Sequence, residues 1–183
     1  KKKNYKTYLE IGCDENKTFN EIKINEKIGI DPIRGGNIRV TSDDFFLNNE
    51  KKFDCIFIDG LHEYTQVKKD INNSVNCLNP NGIILVHDCL PQSFFHQAVP
   101  RCRSIWNGDV WKAIVEFRTK TNLDIYTCLA DQGIGVILKR ANTNVLVKEI
   151  KNFKSLKFKE FYFNHKKLMN IIDIDNLYKI LEL

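Results

Sequence analysis

The stretch Phe53-Asp54-Cys55-Ile56-Phe57-Ile58 constrains the fold more than any other. It is apolar at five of its six positions and is stopped by Asp59-Gly60. A strand with one wet face alternates apolar and polar residues. A run this continuous predicts a strand covered on both faces, as in the middle of a parallel sheet flanked by helices. Shorter strand-length stretches lie at residues 7–11, 27–30, 37–40 and 83–86, the first ending at Gly12 and the second at Asp31-Pro32. Amphipathic stretches at 18–23, 43–48, 64–78 and 109–118 separate them. The third is the clearest helix, with Val67, Ile71, Val75 and Leu78 along one face. Asn79-Pro80-Asn81-Gly82 after it reads as a turn.

The alternation breaks near the end of the sheet. Residues 123–129 and 134–139 read as strands joined only by Ala130-Asp131-Gln132-Gly133. So short a connection cannot carry a parallel crossover, so the two strands must be antiparallel neighbours. The expected fold is therefore α/β: a mostly parallel seven-stranded sheet whose strands six and seven form an antiparallel hairpin. That is not the all-parallel dinucleotide-binding arrangement. Helical patterns at 161–172 and 176–181 follow. The expected division is a main domain over 1–140 and a helical extension over 141–183, packed on the core or on a second copy of the chain as a homo-oligomer.

Composition narrows the class. The net charge of +5 comes from the tail: residues 1–138 hold 18 basic and 18 acidic side chains, residues 139–183 ten and five. A basic tail suits nucleic acid, but here the lysines are interleaved with Phe, Leu and Ile, which reads as a solvated helix face. The six cysteines form no C-x-x-C pair, so a structural zinc site is not expected. Several lie in apolar runs, as small hydrophobes of a reducing, cytoplasmic compartment do. No apolar run approaches the ~20 residues of a membrane span. The opening Lys1-Lys2-Lys3-Asn4 has no initiator Met and no apolar segment behind it. The expectation is a chain without a secretory signal, trimmed at its start.

The loop after the first strand reads Glu10-Ile11-Gly12-Cys13-Asp14-Glu15-Asn16-Lys17-Thr18. A dinucleotide fingerprint requires G-x-G-x-x-G here. One glycine is present, and Asp14 and Glu15 would repel a phosphate while tolerating a sulfonium and an ammonium. Glu10, Gly12 and Thr18 resemble the first motif of the class I methyltransferases that use S-adenosylmethionine. Asn16 stands at the second glycine of that motif, and Asn enters the left-handed region readily. The resemblance implies that Asp31, ending the second strand, accepts hydrogen bonds from ribose hydroxyls. It also implies that Ser42 and Asp43 flank the adenine, Asp43 near its exocyclic amine. Ser42 reads equally as the N-cap of the helix that follows.

Strand ends at Asp59-Gly60-Leu61-His62-Glu63-Tyr64 and at His87-Asp88 should bring Asp59, His62, His87 and Asp88 to one crevice. Four titratable groups directly after apolar strands are hard to justify by packing, because an unpaired buried charge costs several kcal/mol. This pattern, with Trp106-Asn107-Gly108-Asp109 and Asp131-Gln132-Gly133 beyond it, resembles the small O-methyltransferases of sugar and macrolide biosynthesis and the cephalosporin hydroxylase-like group. The resemblance implies His62 as general base, assisted by Asp59 and Asp88. It further implies a divalent ion at Asp59, His87 and Asp88, where an imidazole partners hard Mg²⁺ poorly and a softer ion better. Asp59 is also expected beside the cofactor. Phe94, Phe95, His96, Trp106 and Trp111 are expected to wall the acceptor. The acceptor expected is a sugar or small-molecule hydroxyl. The competing readings are a nucleic-acid methyltransferase using the basic tail, and a cofactor-binding module without chemistry.

Overall fold

The computed structural model describes residues 3–182. Strands β1 (Thr7–Ile11), β2 (Glu26–Ile30), β3 (Phe53–Ile58) and β4 (Leu78–Val86) are mutually parallel, in the spatial order β2-β1-β3-β4. Antiparallel β6 (Ile134–Leu138) pairs with β4 on one side and with β5 (Asp124–Cys128) on the other. The continuous run in β3 lies between β1 and β4, with Phe53, Ile56 and Ile58 at most 2% exposed. The expected architecture, with its hairpin, is therefore present.

The seventh strand is not the expected one. Residues 37–40 make a single bridge, Ile30 to Ile38, rather than a ladder. Gly35 and Gly36 turn the chain sharply at φ +71° and +66°. The Asn37 side chain then takes over the edge of β2: its Oδ1 accepts from Gly29 N at 2.9 Å and its Nδ2 donates to Lys27 O at 3.0 Å. The seventh strand is instead β7 (Ile171–Ile172), parallel to β5 and contributed by the C-terminal region. A second difference lies at residues 79–82, where the expected turn is part of β4. The register shifts there, Phe53 facing Leu78 and Cys55 facing Ile83. Asn79 Nδ2 donates to Asp54 Oδ1 at 2.8 Å and ties the irregular stretch to β3.

Five shorter helices accompany α3 (Tyr64–Cys77): α1 (Lys17–Glu21), α2 (Ser42–Leu47), α4 (Val110–Phe117), α5 (Phe158–Met169) and α6 (Ile174–Leu181). Helix α4 is apolar on nearly every side because α3 covers one flank and the C-terminal region another. Trp111 of α4 meets Phe161 of α5 with ring centroids 5.0 Å apart. Leu146, Leu156, Phe161, Leu168 and Met169 share one continuous core with β1, β3 and β4. Arg118, at the end of α4 and 1% exposed, donates to Lys167 O, to Leu168 O and to Asn144 O. Its charge is thus met by carbonyls, including those at the negative end of the α5 dipole. Among the described residues no helix is long and apolar enough to cross a membrane.

Candidate active site

The carboxyl ends of β1, β3 and β4 share one edge of the sheet, where ligands of open α/β sheets lie. The first two turns meet there tightly. Gly12, at φ +83°, passes so close to β3 that a Cβ would lie 2.2 Å from Asp59 O. Asn16 adopts the left-handed conformation expected of it (φ 63°), and its Oδ1 accepts from Gly36 N at 2.6 Å. Asp31 staples the turns together. Its Oδ2 accepts from Cys13 N and Asp14 N, both at 3.1 Å, and its Oδ1 from Ile33 N at 2.8 Å and Arg34 N at 2.9 Å. Burial pushes this carboxyl up, but the four main-chain donors outweigh it and hold it below the usual carboxylate range.

The other first-turn acids face elsewhere. Glu10, 1% exposed, accepts from the Tyr8 hydroxyl at 2.5 Å, and burial raises its pKa. Asp14 pairs with Arg34, and Glu15 with Lys17 at 3.0 Å. Thr18 is exposed on α1. At the next turn the N-cap of α2 is Thr41, whose Oγ1 accepts from Asp44 N at 3.1 Å, so Ser42 is the first helical residue rather than the cap. Gln66 Nε2 reaches Ser42 Oγ at 3.1 Å and Asp43 Oδ1 at 3.0 Å, while Lys69 holds Asp43 Oδ2 at 2.7 Å.

Asp59, His62, His87 and Asp88 do converge. His62 Nδ1 lies 3.0 Å from Asp88 Oδ2 and its Nε2 lies 3.4 Å from Asp59 Oδ1. His87 Nδ1 lies 3.1 Å from Asp59 Oδ1 and 3.4 Å from Asp88 Oδ2, and its Nε2 meets Asp131 Oδ2 at 2.9 Å. Burial would raise the Asp59 pKa, but hydrogen bonds from both histidines hold it below the usual range. Burial would lower His62, yet the bond to Asp59 and the charge of Asp88 hold it above the imidazole range. The same two carboxylates push His87 up to about 11 against burial.

Residues 106–109 brace this cluster, and sequence reasoning assigned most of them no role. The Trp106 ring stacks on His62 with centroids 5.2 Å apart and planes 16° apart, and its carbonyl accepts from His62 Nδ1 at 3.0 Å. Asn107 Nδ2 donates to Asp88 Oδ1 at 2.9 Å. Gly108, at φ +61°, sits where a Cβ would fall 1.7 Å from His62 O. Asp109 precedes α4 and looks like its cap, but its Oδ1 accepts from Tyr64 N, the first residue of α3, at 2.6 Å. The polar run ahead of an apolar helix was the available signal. Trp111 and Gln97, 0% and 8% exposed, are buried behind this brace, whereas Phe94 and Phe95 are exposed.

Two kinds of ligand can be tested against these residues. An anionic strand edge with a close-packed glycine turn, and an exposed Ile33 beside Asp31, fits a nucleoside carrying positive charge. For a divalent ion, ligand atoms of Asp59, His62 and Asp88 lie within 4.8 Å of one another. Asn107 Oδ1, buried and without a donor among the described residues, is a further oxygen beside Asp88. Carboxylates mixed with imidazole suit a borderline ion better than Mg²⁺.

Comparison with known proteins agrees with the fold. Residues 28–89 match the family described as a methyltransferase domain. The structure resembles the methyltransferase PaMTH1 of Podospora anserina, solved with S-adenosylhomocysteine bound, at a TM-score of 0.54 and 17% identity over 74% of this chain and 72% of that one. It also resembles a Corynebacterium glutamicum protein at a TM-score of 0.51 and 12% identity, over 80% and 74% of the two chains. No curated protein matches the sequence significantly. The fold is the Rossmann-like arrangement of the methyltransferases it resembles, and the family match lies within it at residues 28–89. The sequence likeness to methyltransferase-domain proteins runs from β2 to the end of β4.

Proposed function

We propose that this chain methylates a hydroxyl of a sugar or other small molecule, with His62 as general base. The observation that carries the reading is the seating of His62 between Asp88 and Asp59, 3.0 and 3.4 Å away, on the ligand edge of a methyltransferase fold. Asp88 and the Trp106 carbonyl both face Nδ1 and favour a proton there, which leaves Nε2 as the nitrogen that takes the hydroxyl proton. Asp59 Oδ1 is shared with His87, so part of its charge is already spent. The Trp106 stack fixes the plane of the imidazole, and most of the remaining acceleration comes from alignment of oxygen and methyl carbon.

S-adenosylmethionine supplies an electrophilic methyl on sulfur. Gly12, Asn16 and Asp31 would shape its side of the crevice, with Glu10, Asp14 and Thr18 around the first turn. Ser42 and Asp43 would stand near the adenine, and Ile33 offers that ring an apolar face. The four main-chain donors on Asp31 mean that ribose hydroxyls would share its lone pairs with the turn rather than meet them free. A divalent ion, Mg²⁺ or a softer one, would be held by Asp59, His87 and Asp88 and would lower the pKa of the acceptor hydroxyl. His62 acts as the base only where the third ligand is His87, since its own ligand atoms group with those of Asp59 and Asp88. The six free cysteines suit a reducing cytoplasm.

The test is methyl transfer from labelled S-adenosylmethionine to a panel of hydroxyl compounds, with S-adenosylhomocysteine binding measured in parallel. His62→Ala is expected to lose roughly 10²–10⁴-fold in rate. The variant should still be stabilised by S-adenosylhomocysteine, by about 2.7 kcal/mol at a hundred times Kd. Full activity in the variant would show that the base lies elsewhere.

A further inference from the structure

Residues 89–108, between β4 and α4, form the wall that ends at His62. They include no Asp or Glu, but they include Arg101 and Arg103. Both arginines are exposed, and neither makes an ion pair among the described residues. Both stand over aromatic faces of this segment, and one of those rings, Trp106, touches the cluster. The Arg101 guanidinium lies 5.7 Å from the centre of the Trp106 ring that stacks on His62. The Arg103 guanidinium lies 4.5 Å from the centre of the half-exposed Phe95 ring. Arg101 is also held in place: its Nε donates to Arg103 O at 2.9 Å and its Nη2 to Ser104 O. The wall itself is pinned by Trp106 Nε1 to Ala98 O at 2.6 Å and by Asn107 N to His96 O at 2.9 Å.

A wall without acids, carrying two unpaired guanidinium groups over aromatic faces, is suited to a planar or ring-shaped anion. We propose that the methyl acceptor is an anionic ring compound, a sugar or phenol bearing a carboxylate or phosphate, whose charge is met by Arg101 and Arg103. This rests on the O-methyltransferase reading of the same crevice. The aromatic rings back the two guanidinium groups, and the arginines set which end of the acceptor points away from His62.

Binding can be read without turnover. Trp106 is partly exposed while Trp111 is buried, so a change in tryptophan emission reports on the wall. The full chain, with S-adenosylhomocysteine present at low salt, is titrated with glucuronate, glucose 6-phosphate and glucose. The expected result is that at least one charged sugar binds about tenfold or more tighter than glucose. The Arg101→Gln, Arg103→Gln double variant should lose about ten- to a hundredfold of that affinity, with an unchanged melting temperature. The tighter of the two charged sugars identifies carboxylate or phosphate as the group recognised. Glucose binding as tightly as its charged forms, no binding of either charged sugar, or equal binding by the double variant would overturn the proposal. So would single-stranded RNA binding that is lost in the same variant while sugar binding is not. A chain that binds the charged sugars but transfers no methyl to any acceptor would overturn the methyltransferase reading instead.

Discussion

At the scale of single residues, two positions couple the backbone to the crevice. Gly108 has no room for a side chain, since a Cβ would fall 1.7 Å from His62 O, and its φ of +61° disfavours any other residue. Gly108→Ala is expected to cost roughly 2 kcal/mol or more in a denaturant melt. Any folded fraction should show reduced kcat, because relief of the clash moves His62. Asp31 is the second position. Its folded-state pKa lies below that of an unfolded aspartate, about 3.9. Its contribution is therefore complete above that value and is lost as pH falls through the lower, folded-state one. Asp31→Asn should cost roughly 2 kcal/mol at pH 7, where charge-assisted bonds are lost. The gap between the two proteins should close in acid unfolding curves as pH falls below the unfolded aspartate range and through the lower folded-state value. An equal gap at all pH values would mean that the four main-chain bonds do not depend on the charge.

At the scale of elements, the brace at residues 106–109 ties α3, α4 and the turn that carries His62 into one unit. Asp109→Ala leaves Tyr64 N without its acceptor at the start of α3 and removes the Lys112 partner 3.0 Å away. The expected loss is about 1–2 kcal/mol, with hydrogen exchange rising first in residues 62–66. The same scale shows what was legible in sequence. Continuous apolar runs announced β1, β3 and β4, and the short link at 130–133 announced the antiparallel pair, because both depend on local pattern. The convergence of Asp59, His62, His87 and Asp88 followed from strand ends alone. Residues 37–40 misled because their apolar content is strand-like, while the Asn37 side chain, not a ladder, occupies the edge of β2. The partners of Asp31 and Asp109 were hidden for a different reason. Ile33 N and Arg34 N make a local turn on Asp31, but Cys13 N, Asp14 N and Tyr64 N lie 17 to 45 residues from the carboxylates they meet, and no spacing rule reaches that far.

At the scale of the whole molecule, the C-terminal region completes the sheet and the core. β7 lies against β5, and Arg118 ties α4 to the end of α5. Arg118→Ala leaves three carbonyls without their donor, the one of Leu168 fully buried and the other two partly so. It should lower stability by roughly 3 kcal/mol, seen as a lower urea midpoint. A single transition is expected in both proteins, because one core spans both regions.

The Arg118 clasp bears on how this chain breaks. Residues 141–152 run over the surface as irregular backbone, with Lys148 and Lys151 offered to a trypsin-like protease. A nick there severs one bond of the covalent chain and none of the contacts that bury Arg118. The two pieces should therefore travel as one particle through a sizing column and separate only in denaturant.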